Sequence, residues 1–241
     1  MNNLKALLLN SGTGSRLGEL TSTTNKCLVK IADNKTILDE QLTRLINCGV
    51  TDIIVTTGKF SEDLEKYILT GYTDANFTFV NNPIYDKTNY IYSIFLAKDL
   101  LKGQDILLMH GDLVFETSVL EDILSSPHSV MVTDKAKPLP PKDFKAVIDG
   151  EKIIRVGVNE FENACYAQPL YKLLAKDWDI WLDEICAFCN AGKTDVYAEN
   201  AFNDVSHKMN LYPLDINNRL CFEVDTIEDL EYAKTTYLQL T

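Results

Sequence analysis

The residues of this 241-residue chain best suited to chemistry on a phosphate are Gly12, Gly14, Arg16 and Lys26 near its start, Asp112 in its middle, and Glu223 with Asp225 near its end. Gly12 and Gly14 sit in the run Asn10-Ser11-Gly12-Thr13-Gly14-Ser15-Arg16-Leu17, directly after the apolar run Leu4–Leu9. Glycines there let a ligand approach the main chain closely, and consecutive N–H groups in such a turn make a concavity for anions. Arg16 adds a forked, permanent cation that matches phosphate oxygens. A nucleoside triphosphate lying across this turn is the expected use. Taken alone, a Gly/Ser/Thr loop after a strand is often only a turn. It is no Walker loop, because no Gly-Lys-Ser/Thr follows, and Gly-x-Gly-x-x-Gly fails at Leu17.

Asp112 follows His110-Gly111 at the end of an apolar strand, where an Asp commonly serves as a turn residue. Glu223-Val224-Asp225 supplies a second acidic group, and strand alternation puts Glu223 and Asp225 on one face. Magnesium that accompanies nucleotides takes one or two carboxylates plus phosphate oxygens. Asp112, Glu223 and Asp225 are therefore the expected metal ligands, although Asp225 is also placed to cap the last helix. His110, His128 and His207 fall in no triad or metal-binding spacing.

The elements that must position these groups alternate. Strands are expected over 5–9, 52–57, 77–80, 105–109 and 129–133, with helices over 36–46, 61–69, 88–101 and 119–124. That order predicts an α/β fold with a doubly wound, mostly parallel sheet. The Gly12 loop, Gly58, Asn82 and Asp112 all fall at carboxyl ends of strands, where such sheets bind ligands. Beyond a Pro-rich connection at 136–141, the pattern predicts a hairpin over 145–156 around Gly150 and a strand at 164–167. A helix over 169–191 follows, with Trp178 and Trp181 as core, then a short helix at 199–205, strands at 211–214 and 220–223, and a capped final helix from Thr226. One domain is expected: residues 1–134 as nucleotide-binding core, 135–210 as an acceptor-binding insertion, and 211–241 as closing strands and helix.

A net charge of −12 argues against nucleic acid and anionic lipid as partners. No apolar run approaches the roughly 18 residues a membrane span needs, and the start leads into a strand without a signal-peptide pattern. A cytoplasmic protein is expected. The six cysteines read as reduced, packed residues, and Cys186-x-x-Cys189 lacks a second pair for zinc.

Gly12-x-Gly14-x-Arg16 followed by Leu17 and then Lys26 resembles the signature of the nucleotidyltransferases that activate sugar phosphates and small phospho-alcohols. Asn25 stands where their usual form has Pro. Asp112 after its strand, Glu223-Val224-Asp225-Thr226 before the last helix, and Asn82-Pro83-Ile84-Tyr85 leading to Thr88-Asn89-Tyr90-Ile91-Tyr92-Ser93 look like the small CTP-dependent cytidylyltransferases. Phosphocholine and 2-aminoethylphosphonate cytidylyltransferases share that pattern. The resemblance spans residues 4–115 and 211–235, and says little about 135–210.

The resemblance implies a Rossmann-like fold and transfer of CMP from CTP, with Mg2+, to a small zwitterionic phosphate or phosphonate. The product would serve decoration of surface glycans or lipids. It further implies that Gly12, Gly14 and Arg16, with Thr13, hold the triphosphate and that Lys26 bridges the α-phosphate and the acceptor. Asn82 and Asn89, with backbone around Leu9, Asn10 and Ser11, would read the pyrimidine, although turn chemistry and capping explain both Asn residues as well. Arg16, Lys26 and Asp112 form the catalytic set. The acceptor would meet Lys26, Tyr166, Tyr197 and Glu199, while Ala198 removes part of an aromatic cage that phosphocholine enzymes carry. A sugar-1-phosphate nucleotidyltransferase is the alternative, and a non-catalytic nucleotide-binding domain a second. A homodimer is the assembly that frequency favours.

Overall fold

A computed structural model describes residues 4–240. The first strand, β1 (Leu4–Leu9), is apolar apart from Lys5 near its start, because both faces of Ala6–Leu9 are covered. Leu7 and Leu9 point into one core, with Trp178 and Trp181, while Ala6 and Leu8 point into another, with Leu38 and Leu42. Two short strands, β2 (Lys30–Ala32) and β3 (Lys35–Thr36), form a hairpin before helix α1 (Ile37–Asn47). Thr36 and Asp39 cap α1 reciprocally, and Gly49 at φ 80° follows its end.

The chain continues through β4 (Asp52–Thr57), α2 (Ser61–Gly71), β5 (Asn76–Asn81), α3 (Tyr90–Leu96), α4 (Lys98–Leu101) and β6 (Asp105–His110). β5, β4, β1 and β6 lie side by side, and every pairing among them is parallel. The helix expected over 88–101 is divided at Ala97, with Ile91, Ile94 and Leu101 still buried. Next come β7 (Leu113–Phe115), α5 (Thr117–Ser125) and β8 (Val130–Asp134).

The other half of the sheet contains the hairpin β9 (Lys145–Asp149) and β10 (Lys152–Gly157), then β11 (Ala164–Leu173), which pairs with β6, β8 and β9. Every pairing of β11 and of the β9–β10 hairpin is antiparallel. The expected helix over 169–191 is corrected here: residues 169–173 continue β11, and helix α6 spans Ala175–Asn190. Leu170–Leu173 pair with β6 on one side, and Tyr171 and Lys172 with β8 on the other, so this stretch is held by ladders on both edges. Pro169, which has no N–H to give, falls in the register shift between Ala167 and Tyr171. Trp178 and Trp181 are core residues of α6, as expected.

Helix α7 (Ala198–Val205) packs on α6, and β12 (Tyr212–Asp215) runs parallel to β8. The chain then forms β13 (Cys221–Glu223), antiparallel to β7, and helix α8 (Ile227–Leu240). Leu230 and Ala233 of α8 share a third core with Leu17 and Ile31, so the tail packs beneath the Gly12–Arg16 turn. No helix among the described residues is long and apolar enough to cross a membrane.

Candidate active site

β1 delivers the chain to the turn at Asn10–Arg16, next to the ends of β4 and β6. Gly14 takes a left-handed conformation, φ 64°, and a Cβ there would press on Lys26 Cβ at 3.0 Å. Asn25 ties Lys26 to this turn: its Nδ2 donates to Asn10 O (3.1 Å), and its Oδ1 accepts from Cys27 N (3.3 Å). A proline at 25 could make neither bond. Between strands, Asn10 Oδ1 lies over Gly111, where a Cβ would collide with it.

The pairing of β13 with β7 brings the tail to the middle of the chain. Glu223 stands opposite Leu113, and Val224 N donates to Asp112 O at 2.9 Å. Thr226 and Asp229 cap α8 and fix the Asp225 backbone, with Asp225 N donating to Asp229 Oδ2 (3.1 Å). Asp112 and Asp225 thereby meet Lys26, whose Nζ is 2.5 Å from Asp112 Oδ2 and 2.6 Å from Asp225 Oδ1. Arg16 pairs with the other oxygen of Asp225.

Burial works against the Lys26 ammonium, but the Asp112 and Asp225 carboxylates outweigh it and raise its pKa. Burial likewise works to raise the Asp112 pKa, and Lys26 and His110 overcome it, so the carboxylate stays ionised. His110 Nδ1 sits 2.8 Å from Glu223 Oε1. Burial favours neutral imidazole there, and Glu223 prevails to raise the His110 pKa.

His110, Asp112 and Glu223 place potential ligand atoms within 4.8 Å of one another, the one such cluster among the described residues. Asp112 Oδ1 and His110 Nε2 are buried without a hydrogen-bond partner. The unsatisfied Asp112 oxygen, buried beside a second carboxylate on Glu223, fits a divalent cation. Asp225 lies beside this cluster, engaged by Lys26 and Arg16.

A cleft of about 430 Å³ opens over these groups, floored by Gly12–Arg16 and Lys26. Its far wall is aromatic. Tyr197 has ring centroids of Tyr90 and Phe144 at 6.0 and 5.2 Å, and Tyr90 stands edge-on to His110 at 4.7 Å. Asp86, Lys142 and Asp143 also border it. Burial pushes the Asp143 carboxyl up.

Other expected residues lie around the cleft. Asn89 lines it and caps α3, its Oδ1 accepting from Tyr90 N. Asn82 is buried with its amide turned inward: Nδ2 donates to Thr88 Oγ1 (3.0 Å) and Ser93 Oγ (3.1 Å), and Oδ1 accepts from Ile84 N (3.1 Å). Ser93 in turn bonds Ser11 Oγ at 2.7 Å, so Asn82 braces the turn from behind. Tyr197 faces the cleft. Glu199 is buried behind it, with both oxygens bound by the hydroxyls of Tyr90 and Tyr171. Tyr166 stands behind the wall and donates to Asp143 Oδ2 at 3.3 Å.

Tyr90, Phe144 and Asp143 are not among the site residues expected from the sequence, where His110 has no role beyond shaping the strand that carries Asp112. His110 carried one usable signal, its place in His110-Gly111-Asp112 at a strand end. Cys189 on α6 has its thiol pushed up to about 11 by burial, consistent with packing.

Residues 5–133 match the family described as Nucleotidyl transferase. The chain is 34% identical over 138 residues to the CMP-5'-(3-aminopropyl)phosphonate synthase of Streptomyces rubellomurinus, covering 57% of this chain and 22% of that protein. It is 30% identical over 139 residues to the CTP:phosphoglutamine cytidylyltransferase of Campylobacter jejuni, covering 55% of this chain and 53% of that protein. The match thus spans about half or less of these curated relatives. The solved CTP:phosphocholine cytidylyltransferase of Streptococcus pneumoniae superposes with a TM-score of 0.79 at 20% identity, over 98% of this chain and 99% of that one.

Proposed function

The chain belongs to the nucleotidyl transferase family, and we propose that it is a cytidylyltransferase moving CMP from CTP to a small amino-alkyl phosphate or phosphonate. The observation that carries this reading is the convergence of Arg16, Lys26, Asp112, Glu223 and Asp225 in one cleft whose opposite wall is aromatic. By their names, one curated relative makes CMP-5'-(3-aminopropyl)phosphonate and another is a cytidylyltransferase for CTP and phosphoglutamine. Phosphocholine and 2-aminoethylphosphonate are the acceptors to test first.

In this reading the backbone of Gly12–Gly14 and the Arg16 fork receive the triphosphate. Asn89 and the Leu9–Ser11 backbone face the pyrimidine, and Asn82 keeps that surface rigid. An acceptor oxygen attacks the α-phosphorus; a new P–O bond forms as the bond to the β-phosphate bridging oxygen breaks, and pyrophosphate departs. The attacking oxygen is already anionic near neutral pH, so no general base is required. Lys26 lies between donor and acceptor phosphates, holding both and offsetting charge in the transition state. Asp112, Glu223 and Asp225, with His110 adjoining, would hold Mg2+, which supplies charge neutralisation and orientation of the phosphates.

The acceptor's ammonium end would lie against Tyr90, Phe144 and Tyr197, where aromatic faces attract cations by about 0.5–2 kcal/mol. Asp143 and Asp86 add negative charge at the rim. Glu199 acts through Tyr90 and Tyr171.

The test is pyrophosphate release with each nucleoside triphosphate and Mg2+, paired in turn with phosphocholine, 2-aminoethylphosphonate, phosphoethanolamine and hexose 1-phosphates. Release confined to CTP with an amino-alkyl acceptor is the expected result. Release with a hexose 1-phosphate would replace this reading with sugar activation, and none with any pair would replace it with nucleotide binding alone.

A further inference from the structure

The Lys26 ammonium reaches one oxygen on each of two carboxylates, Asp112 Oδ2 at 2.5 Å and Asp225 Oδ1 at 2.6 Å. Its side chain is 13% exposed, so water screens the contact poorly. Building on the CMP-transfer reading, we propose that Lys26 is the chain's own stand-in for the divalent ion. Without nucleotide it fills the gap between Asp112 and Asp225. A nucleotide phosphate draws it away and opens that gap to the metal.

Charge supports the exchange. Lys26 and Arg16 face Asp112 and Asp225, two cations against two anions, while His110 and Glu223 satisfy each other. A divalent ion entering this balanced set meets an ammonium in contact with both carboxylates, and like charges repel strongly at that range. An incoming phosphate supplies alternative anionic oxygens to Lys26 and Arg16, and the two carboxylates released are hard oxygen donors for the ion. Each cation exchanges one anion for another, so no charge is left unpaired.

The side chains suit this role. Lysine is a compact point charge on a flexible stem and can swing. The Lys26 backbone is fixed by Asn25 and by contact with Gly14. Asp112 Oδ1 remains buried without a partner even with Lys26 in place, so the ammonium satisfies only half of that carboxylate. Metal and nucleotide affinities are then linked, each raising the other by the same factor.

The test measures Mn2+ binding from the electron paramagnetic resonance of the free ion, with and without CMP. CMP offers the phosphate that engages Lys26 but binds free Mn2+ weakly. Wild type is compared with Lys26→Met, Lys26→Gln and Lys142→Met. The last removes a cation from the cleft border without touching Asp112 or Asp225. Two neutral replacements at 26 keep the test open if one fails to fold.

Without CMP, both Lys26 variants should bind Mn2+ about tenfold tighter than wild type, and Lys142→Met should match wild type. CMP should tighten Mn2+ binding to wild type by about 5- to 150-fold, the range of typical coupling, and to the variants far less. Equal Mn2+ affinity in wild type and Lys26 variants without CMP overturns the proposal. So does a Lys142→Met effect as large as theirs, which would indicate a general field. Nucleotide transfer is assayed separately: coupling without CMP transfer to any acceptor overturns the function reading alone, and transfer without coupling overturns this inference alone.

Discussion

His110 and Glu223 are 113 positions apart in sequence, yet His110 Nδ1 and Glu223 Oε1 lie 2.8 Å apart in the structure. The bond joins the end of β6 to the end of β13 and sets the spacing of Asp112 from the tail carboxylates. Substitutions at this contact and around the Gly12–Arg16 turn test the site from several directions.

Asp112→Ala and Asp225→Ala remove the carboxylates that meet Lys26. Each should lower kcat for pyrophosphate release by about 10²–10³-fold, the scale of losing one preorganised charge partner at a reacting centre. Far-ultraviolet circular dichroism should remain that of wild type. A near-normal rate in either variant removes that residue from the machinery.

Gly111→Ala puts a methyl group into Asn10 Oδ1. Relief requires the Asn10 side chain or the end of β6 to shift, at a cost of about 1–3 kcal/mol. Because Asn10 O also accepts from Asn25, the displacement reaches Lys26. Chemical denaturation should show the loss of stability, and the KM for CTP should rise.

Tyr90→Phe leaves Glu199 with Tyr171 as its single hydroxyl partner. An under-bonded buried carboxylate should reduce stability by about 1–3 kcal/mol. As Tyr90 belongs to the aromatic wall, the KM for the acceptor should rise more than the KM for CTP. Equal changes in both would move the acceptor elsewhere in the cleft.

Asp39 gives a pH prediction outside the site. Its carboxylate caps α1 and accepts from Tyr67 and Tyr72. Burial acts to raise its pKa, but the Tyr72, Thr36 and Tyr67 donors dominate and lower it. A depressed carboxylate contributes stability that is fully present above its unfolded value near pH 4 and disappears as pH falls through the folded value. Asp39→Asn should therefore be less stable than wild type at pH 7, by about 1–3 kcal/mol. The gap between urea melts of the two proteins should narrow as pH falls below about 4.

What the sequence revealed depended on how local the signal was. β1, α1 and the Gly12–Lys26 stretch are readable because an apolar run, a helical apolar period closed by Gly49 and a glycine turn declare themselves locally. Glu223 is readable as part of a short strand, whereas Asp225, expected on the same strand face, lies past the end of β13 and is placed by the cap of α8. By contrast, Pro169–Leu173 looked helical because its strand character comes from β6 and β8 on either side, which no local window contains. His110 acquires its partner through the β7–β13 pairing, and Phe144 meets Tyr197 only when the segments entering β9 and α7 come together. Asn82 was read toward the ligand, whereas Thr88, Ser93 and Ile84 claim its amide.

The docking of β13 on β7 also bears on biosynthesis. Chains emerge from the ribosome N-terminus first, so the Gly12 turn, Lys26 and Asp112 exist for most of translation without Glu223 and Asp225. A polypeptide cut short before residue 221 lacks Asp225, the carboxylate that pairs with Arg16 beside the Gly12 turn. Interrupted synthesis would thus yield fragments in which Lys26 meets one carboxylate instead of two.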